Sequence, residues 1–331
     1  MIENSEIISD IENVNVNNVD LRPKCFDSYI GQKRATSQLK IMLGASQKKS
    51  LPMDHVMLYG PPGLGKTSLA NVIALESTSN LVVTSGQALT KVGDLAAVLS
   101  NLKNFDILFI DEIHRLKLDI QEMLYTAMED FAIDIIIGKG PSARTMRLEL
   151  AKFTLVGATT KLNKISRPMR DRFGVCMQLD FYDNQDLTKI LKLNAQTLKT
   201  KIPDPLLLKI AEYSRGTPRI ANNYLKRFCE YITHKNIVDP SQEDLENLFG
   251  LLGVNQFGLN NQDLNFLRSL RDNFSGGPVG LKTLSASINE DPEHIENLTE
   301  PYLIQLGFLN KSNRGRILTS KGDLIIKDVL N

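Results

Sequence analysis

Gly60-Pro61-Pro62-Gly63-Leu64-Gly65-Lys66-Thr67 fits the pattern G-x-x-x-x-G-K-[ST]. An apolar run at residues 55–59 precedes it and a helix-like segment at 67–76 follows, so the context is strand, loop, helix. The glycines let the loop turn with its amides pointing inward around phosphates. The next helix presents its positive N-terminal end to the same phosphates. In this pattern Lys66 reaches the β- and γ-phosphates of a nucleotide and the Thr67 hydroxyl ligates Mg²⁺. A Gly-rich turn with no ligand is the plain alternative; the full spacing and both flanks argue against it.

Working outward, residues 107–110 form a buried strand that ends in Asp111-Glu112. Two carboxylates there stand at the edge where ligands of open α/β sheets bind. Asp111 is expected to hold the Mg²⁺ through water, and Glu112 to polarise the attacking water. Residues 153–160 repeat the design and end in Thr159-Thr160, where a hydroxyl can orient that water or sense the γ-phosphate; taken alone, either threonine reads as a cap or turn residue. Arg167, Arg170 and Arg172 cluster in one loop, and a planar, permanently charged guanidinium suits the charge developing on a transferring phosphoryl group. Further on, Gly216-Thr217-Pro218-Arg219 places Thr217 as an N-cap and Pro218 in the first helical turn, with Arg219 at the helix N-terminus.

Strand-like runs at 55–59, 81–84, 107–110 and 153–156 alternate with helices between residues 21 and 179, the pattern of a parallel sheet covered on both faces. From 181 to about 253 only helical signals remain, at 186–200, 205–214, 218–233 and 242–252. Residues 255–260 read as a linker. Beyond it, helices at 262–273, 281–288 and 292–306 precede a hairpin whose arms are 308–310 and 316–319, a winged-helix arrangement. The expected organisation is therefore an acidic tail (1–20), a large ATPase domain (21–180), a small all-helical lid (181–254) and a winged-helix DNA-binding domain (255–331).

Composition narrows the class. The chain has 331 residues, with Lys plus Arg 39 against Asp plus Glu 38. That balance excludes a histone-like or polyacidic protein but leaves room for a locally basic face. Trp is absent and aromatics are 6 %, which disfavours broad stacking on single strands. The three cysteines, Cys25, Cys176 and Cys229, match no metal spacing and read as reduced thiols in a cytoplasmic protein. No apolar run approaches the roughly 20 residues a membrane span needs. From Tyr302 to Gly322 there are four basic residues, Lys311, Arg314, Arg316 and Lys321, and no acid. This reads as a phosphate-contacting wing, with Lys311, Arg314 and Arg316 as the contacts, or more blandly as a solvated basic turn.

Ile133-Asp134-Ile135-Ile136-Ile137, a Gly/Pro turn at 138–142, and an arm from Thr145 to Leu150 read as a hairpin inserted into the α/β pattern. Isoleucines that the core does not need there would dock a partner. From the residues alone an ordinary core hairpin fits equally well.

GPPGLGKT, LFIDEIHRL, GATT, RPMRDRFG and RGTPRIA, in this order and spacing, resemble the AAA+ ATPases. The longer stretches LRPKCFDSYIGQ, EDFAIDIIIGKGPSARTMRLEL and GGPVGLKTLSASI resemble the RuvB family, motors of Holliday-junction branch migration, from about Leu21 to Asp323. The resemblance implies an α/β AAA+ P-loop core with a helical lid and a winged helix, and ATP-driven translocation of duplex DNA at four-way junctions in recombination and repair. It implies ATP/ADP and Mg²⁺ as ligands. Catalytic roles fall to Lys66, Asp111, Glu112, one of the pair Thr159-Thr160 as first sensor, Arg172 as an arginine finger acting on a neighbouring subunit's ATP, and Arg219 as second sensor. Nucleotide contacts fall to Leu21, Arg22, Tyr29, Ile30, the loop from Gly60 to Thr67, Ser68, Glu129, Asp130, Phe131, Tyr182 and Pro218. Thr67 and Asp111 serve the metal. It further implies homo-hexameric rings, the junction-binding partner RuvA on the hairpin from Ile133 to Leu150, and the resolvase RuvC. Lys311 stands where the family usually has arginine, so its contact is expected to be less geometrically fixed.

Two other classes compete with a motor. A clamp-loader-type AAA+ ATPase is disfavoured by the lack of a zinc-binding cysteine cluster and by the winged-helix pattern. A nucleotide-switched DNA-binding initiator has no need of both Glu112 and Arg172.

Overall fold

The structure is a computed structural model and describes residues 20–137 and 144–330. It divides into two compact units, one comprising residues 22–180 and the other residues 181–331 with the segment up to Leu21. Among the described residues no helix is long and apolar enough to cross a membrane.

The first unit is built on a five-stranded parallel sheet, β1 (Val56–Tyr59), β2 (Leu81–Ser85), β3 (Ile107–Asp111), β6 (Thr154–Thr159) and β7 (Val175–Gln178). The strand order is β2-β3-β6-β1-β7. The three central strands are apolar throughout because helices cover both faces: Met57, Leu58, Phe109, Ile110, Leu155 and Val156 are fully buried. The helices Lys33–Lys49, Lys66–Glu76, Val92–Ser100 and Leu118–Asp130 supply the layers. Leu69, Ile73, Leu95, Leu99, Ile120 and Leu124 are their buried stripes. The sequence-based strands at 107–110 and 153–156 both run further, to Asp111 and Thr159. β7 carries little signal: at the sheet edge, half-buried Val175 and buried Met177 alternate with exposed Cys176 and Gln178.

Register aligns the carboxyl ends that matter. Tyr59 lies opposite Thr159, and Ile110 lies opposite Gly157. The Gly60 amide then donates to the Thr159 carbonyl at 3.2 Å. Asp111 therefore sits two strand spacings, about 10 Å, from the start of the phosphate loop on the same edge.

A separate antiparallel pair, β4 (Ala132–Ile137) and β5 (Arg144–Glu149), confirms hairpin arms on either side of the turn, which lies outside the described residues. One expectation about it is corrected. Ile133 is 1 % exposed, and Ile135 and Leu148 pack against the same core. The base of the hairpin therefore belongs to the core rather than offering spare isoleucines; Met146, 47 % exposed, faces outward.

In the second unit the helices Asn184–Thr197, Asp204–Tyr213, Pro218–His234 and Gln242–Leu251 pack first. Asp183 and Ser241 cap two of them by accepting amides three residues on. Then come Asn261–Asp272, Leu281–Ile288, a helical run over Pro292–His294, Ile295–Thr299 and Glu300–Gln305, the wing strands β8 (Leu309–Ser312) and β9 (Gly315–Leu318), and a last helix, Ser320–Leu330. Phe266, Leu267, Leu270, Leu284, Leu303 and Phe308 form their core. The wing turns at Gly315, whose φ of +137° and whose approach to the Val279 carbonyl leave no room for a side chain.

The two halves of this second unit are joined by Arg215. Its Nη2 donates to Asp263, which is 1 % exposed, and its Nε donates to the Gly258 carbonyl at 3.0 Å. Asp263 already accepts the Asn260 amide at 2.8 Å in a capping box. The turn that leads into Pro218 and Arg219 is thus tied to the first helix of the winged-helix module.

Candidate nucleotide site

The phosphate loop leaves β1 at Gly60, whose φ is +146° and whose missing Cβ would lie 2.5 Å from the Leu179 carbonyl oxygen. Gly63 and Gly65 also have positive φ, and Leu64 is fully buried as the loop's apolar pin. Lys66 begins the following helix, only 7 % exposed, and its Nζ donates to the Gly60 and Pro61 carbonyls, both at 2.9 Å. The ammonium is therefore fixed at the mouth of the loop. Pro61, Pro62, Thr67 and Ser68 are half-buried around it. Tyr29, buried, donates from its hydroxyl to the Gly65 carbonyl at 3.4 Å, so the segment carrying Arg22, Tyr29 and Ile30 lies against the loop.

At the end of β3, Asp111 Oδ1 accepts the Glu112 amide at 2.9 Å. A carboxylate and the Thr67 hydroxyl are hard oxygen donors of the kind Mg²⁺ takes. Glu112 adopts a left-handed backbone, φ +47°, which swings its side chain off the strand axis. Glu112 Oε2 accepts the Thr160 hydroxyl at 3.3 Å and lies 3.0 Å from His114 Nδ1. Burial pushes the Glu112 carboxyl up, but the hydrogen bond and charge of His114 and the Lys66 ammonium outweigh it and hold the group below its ordinary range. Glu112 is thus ionised at neutral pH and able to accept a hydrogen bond from water.

The two residues of the Thr159-Thr160 pair are held differently. Thr159 is fully buried, its Oγ1 accepts the Lys161 amide at 2.9 Å, and that oxygen lies 2.9 Å from His114 Nδ1. Thr160, next along and half-buried, donates its hydroxyl to Glu112 Oε2 at 3.3 Å.

Arg172 lies elsewhere on the sheet. It precedes β7, whose first residue, Val175, is level with Val56, the first residue of β1. Arg172 is therefore at the edge opposite the phosphate loop. Its Nη2 bonds the Tyr125 hydroxyl at 2.8 Å and Glu129 Oε2 at 2.6 Å, and its guanidinium stacks 4.7 Å from the Tyr125 ring centroid. Arg172 and Glu129 are brought together there. Asp130 pairs with Arg147 at 2.9 Å. Phe131 stands edge-on to Phe153 at 5.8 Å and packs its ring against the core.

Leu21, Tyr182, Pro218 and Arg219 belong to the second unit. Tyr182, buried, donates its amide to the Gly216 carbonyl at 2.8 Å. Pro218 opens the helix Pro218–His234 and Arg219 is exposed on its first turn. Thr217 does not cap that helix: its hydroxyl turns back to the Ser214 carbonyl at 3.2 Å.

The wing also departs from expectation. Arg314 is exposed. Arg316 is 9 % exposed and donates through Nε and Nη2 to Glu300, itself 1 % exposed. Lys311 lies 3.2 Å from Glu300 and 3.7 Å from Glu296. Arg316 is therefore paired with Glu300 at the base of the wing rather than exposed at its tip. Tyr125 and Glu300 escaped sequence reading because their partners are distant in the chain, and His114 because only the fold brings Thr159 to its ring.

Comparison with known proteins agrees with this architecture over nearly the whole chain. Residues 21–179 match the Holliday junction DNA helicase RuvB P-loop domain, 182–254 the RuvB AAA lid domain and 256–327 the RuvB C-terminal winged helix domain. The chain is 48 % identical over 317 residues to the Holliday junction branch migration complex subunit RuvB of Fusobacterium nucleatum, covering 95 % of this chain and 96 % of that one. It is 46 % identical over 300 residues to the RuvB subunit of Orientia tsutsugamushi, covering 91 % and 92 %. The solved structure of the Thermotoga maritima RuvB Holliday junction branch migration motor superposes with a TM-score of 0.85 at 40 % identity, covering 93 % of this chain and 98 % of that one. With the loop, the paired carboxylates and the winged helix all falling inside these matches, the chain belongs to the RuvB family of AAA+ P-loop ATPases.

Proposed function

We propose that this chain is the ATP-hydrolysing motor that drives branch migration of four-way DNA junctions. The observation that carries this is Glu112, ionised and hydrogen-bonded by Thr160 at the same sheet edge as Lys66. A protein that merely senses nucleotide has no use for a braced carboxylate there. Lys66, the loop amides and the helix N-terminus bind the phosphates of ATP; Thr67 and Asp111 hold the Mg²⁺ that neutralises developing charge. Glu112 accepts a hydrogen bond from the attacking water and aligns it in line with the leaving oxygen. Thr160 bonds the same carboxylate, so a shift of the end of β6 is felt by the base.

Arg172 supports a shared site. Its position at the edge opposite its own phosphate loop supports a role toward the nucleotide of a neighbouring copy, with Glu129 paired to it. A site completed by a neighbour favours a closed ring, and homo-hexamers are the closed form proposed here. Residues 21–180 act as the large ATPase domain, 181–254 as the lid and 255–331 as the DNA-binding winged helix, with 1–20 as a tail. Arg219, tied through Arg215 to the winged-helix module, carries the lid's response to nucleotide. Duplex arms of the junction contact Arg314 and the Lys311 ammonium. RuvA is the partner proposed for the outer face of the β4–β5 hairpin around Met146, RuvC a further one, and the cytoplasm the compartment.

The test is conversion of a synthetic four-way junction into duplex products with and without the junction-binding partner. ATP-dependent conversion by the wild-type chain and none by Glu112→Gln is expected. Conversion by the Glu112→Gln variant at the wild-type rate would overturn the assignment.

A further inference from the structure

His114 has a role in the site that its sequence position does not reveal. Its side chain is 5 % exposed, and Nδ1 lies 3.0 Å from Glu112 Oε2 and 2.9 Å from Thr159 Oγ1. A carboxylate oxygen offers only lone pairs, so the nitrogen that faces it at this distance carries the proton. Thr159 Oγ1 is a second acceptor on the same Nδ1–H and a rigid one: it is fully buried, and the Lys161 amide bonds the same oxygen at 2.9 Å. One N–H is thus shared between a fixed hydroxyl at the end of β6 and the carboxylate beside the phosphate loop.

Glu112 needs such support. Its side chain is 33 % exposed, and a glutamate free at three torsions spreads over many rotamers. We propose that His114 is a positioning residue for hydrolysis. Its Nδ1–H, braced by Thr159, holds Glu112 Oε2 together with the Thr160 hydroxyl, so that Oε1 alone is presented to the attacking water. The inference rests on the reading of Glu112 as the group that polarises that water. It also gives a role to the buried threonine that ends the central strand: its hydroxyl orients the imidazole.

The experiment compares His114→Leu, which removes the donor, with His114→Asn, whose amide nitrogen occupies the place of Nδ1. Three quantities are read on the full chain: kcat, the affinity for a fluorescent ATP analogue, and the histidine ¹⁵N spectrum of the nucleotide-free protein, which holds four histidines. General-base assistance is worth ~10²–10⁴ in rate, and a misaimed base forfeits part of it, so His114→Leu should lose roughly 10–100-fold in kcat. Analogue affinity should be unchanged, and His114→Asn should recover most of the rate. The His114 resonance should show a protonated Nδ1 that shifts in Glu112→Gln. Wild-type kcat in His114→Leu overturns the proposal, as does parallel loss of affinity, or a bare Nδ1 in the spectrum. If His114→Leu does not fold, an inactive His114→Asn of normal melting temperature overturns it equally. Glu112→Gln hydrolysing at the wild-type rate would remove the underlying reading of Glu112; an inactive Glu112→Gln beside a normal His114→Leu would remove only the role of His114.

Discussion

Arg316 and Glu300 form a buried ion pair at the base of the wing: Nε and Nη2 of the arginine meet both carboxylate oxygens, the second at 3.1 Å. The pair links β9 to the helix Glu300–Gln305 and is only marginally exposed to water. Removing Arg316 leaves the buried Glu300 with only the more exposed Lys311 ammonium, at 3.2 Å, as a charged partner. Arg316→Ala should therefore destabilise the protein by about 3–5 kcal/mol, seen in denaturant unfolding, whereas Arg316→Ala combined with Glu300→Leu should recover part of the loss. A single variant of wild-type stability would mean that the pair contributes nothing.

Arg314 is the contrasting case. It is exposed at the wing turn, so its loss should leave folding intact and weaken duplex binding about equally across sequences. The slope of log K against log salt should become shallower by about 0.9 for that one contact. ATP hydrolysis without DNA should not change. An unaltered salt slope would place the DNA track on other residues.

The difference between these two arginines also marks the limit of what the sequence discloses. The phosphate loop was legible because its constraint is local: a few glycines, one lysine and one hydroxyl must stand in fixed order around a phosphate. The parallel sheet was legible because its central strands are buried on both faces. That same burial hid which of Thr159 and Thr160 is enclosed. A strand apolar on both sides gives no alternation from which to fix the pleat. The basic run from Lys311 to Lys321 gave the sign of the wing's charge but not its disposition, because Glu300 lies sixteen residues from Arg316. Tyr125 was silent for the same reason: only the fold brings it to Arg172.

His55 gives a prediction about pH. Its ring lies 5.6 Å from Phe153 and 6.3 Å from Phe131; its Nε2 donates to the Met128 carbonyl at 3.2 Å and its Nδ1 accepts the Leu155 amide at 2.9 Å. Burial pushes its pKa below the ordinary 6.5, against smaller upward pulls from the Met128 carbonyl and Asp54. The unfolded chain binds this proton near pH 6.5 and the folded chain does so only lower. The stability His55 contributes is therefore complete above about pH 6.5 and is lost as pH falls through the folded value. The fall in melting temperature from pH 7 to pH 5 should be smaller in His55→Gln than in the wild type. Identical pH profiles would show that the ring stays neutral for no energetic reason of consequence.

Arg172 tests whether the site is shared. Strand register puts it at the sheet edge opposite Lys66 of its own chain, held by Tyr125 and Glu129. An arginine supplied in trans contributes ~10³–10⁵ in rate in related phosphoryl-transfer enzymes. Arg172→Ala should then lose hydrolysis while keeping ATP affinity, and Lys66→Ala should lose both. The informative measurement mixes the two inactive variants. A neighbouring pair in which one copy keeps Lys66 and the other keeps Arg172 contains one complete site. Hydrolysis should reappear, with a maximum at intermediate mixing ratios and none at either end. Copurification of differently tagged chains establishes that mixed assemblies form. Mixed assemblies without any recovered hydrolysis would mean that Arg172 acts on its own chain or not at all, and the Glu129–Arg172 pair would then be a structural contact only.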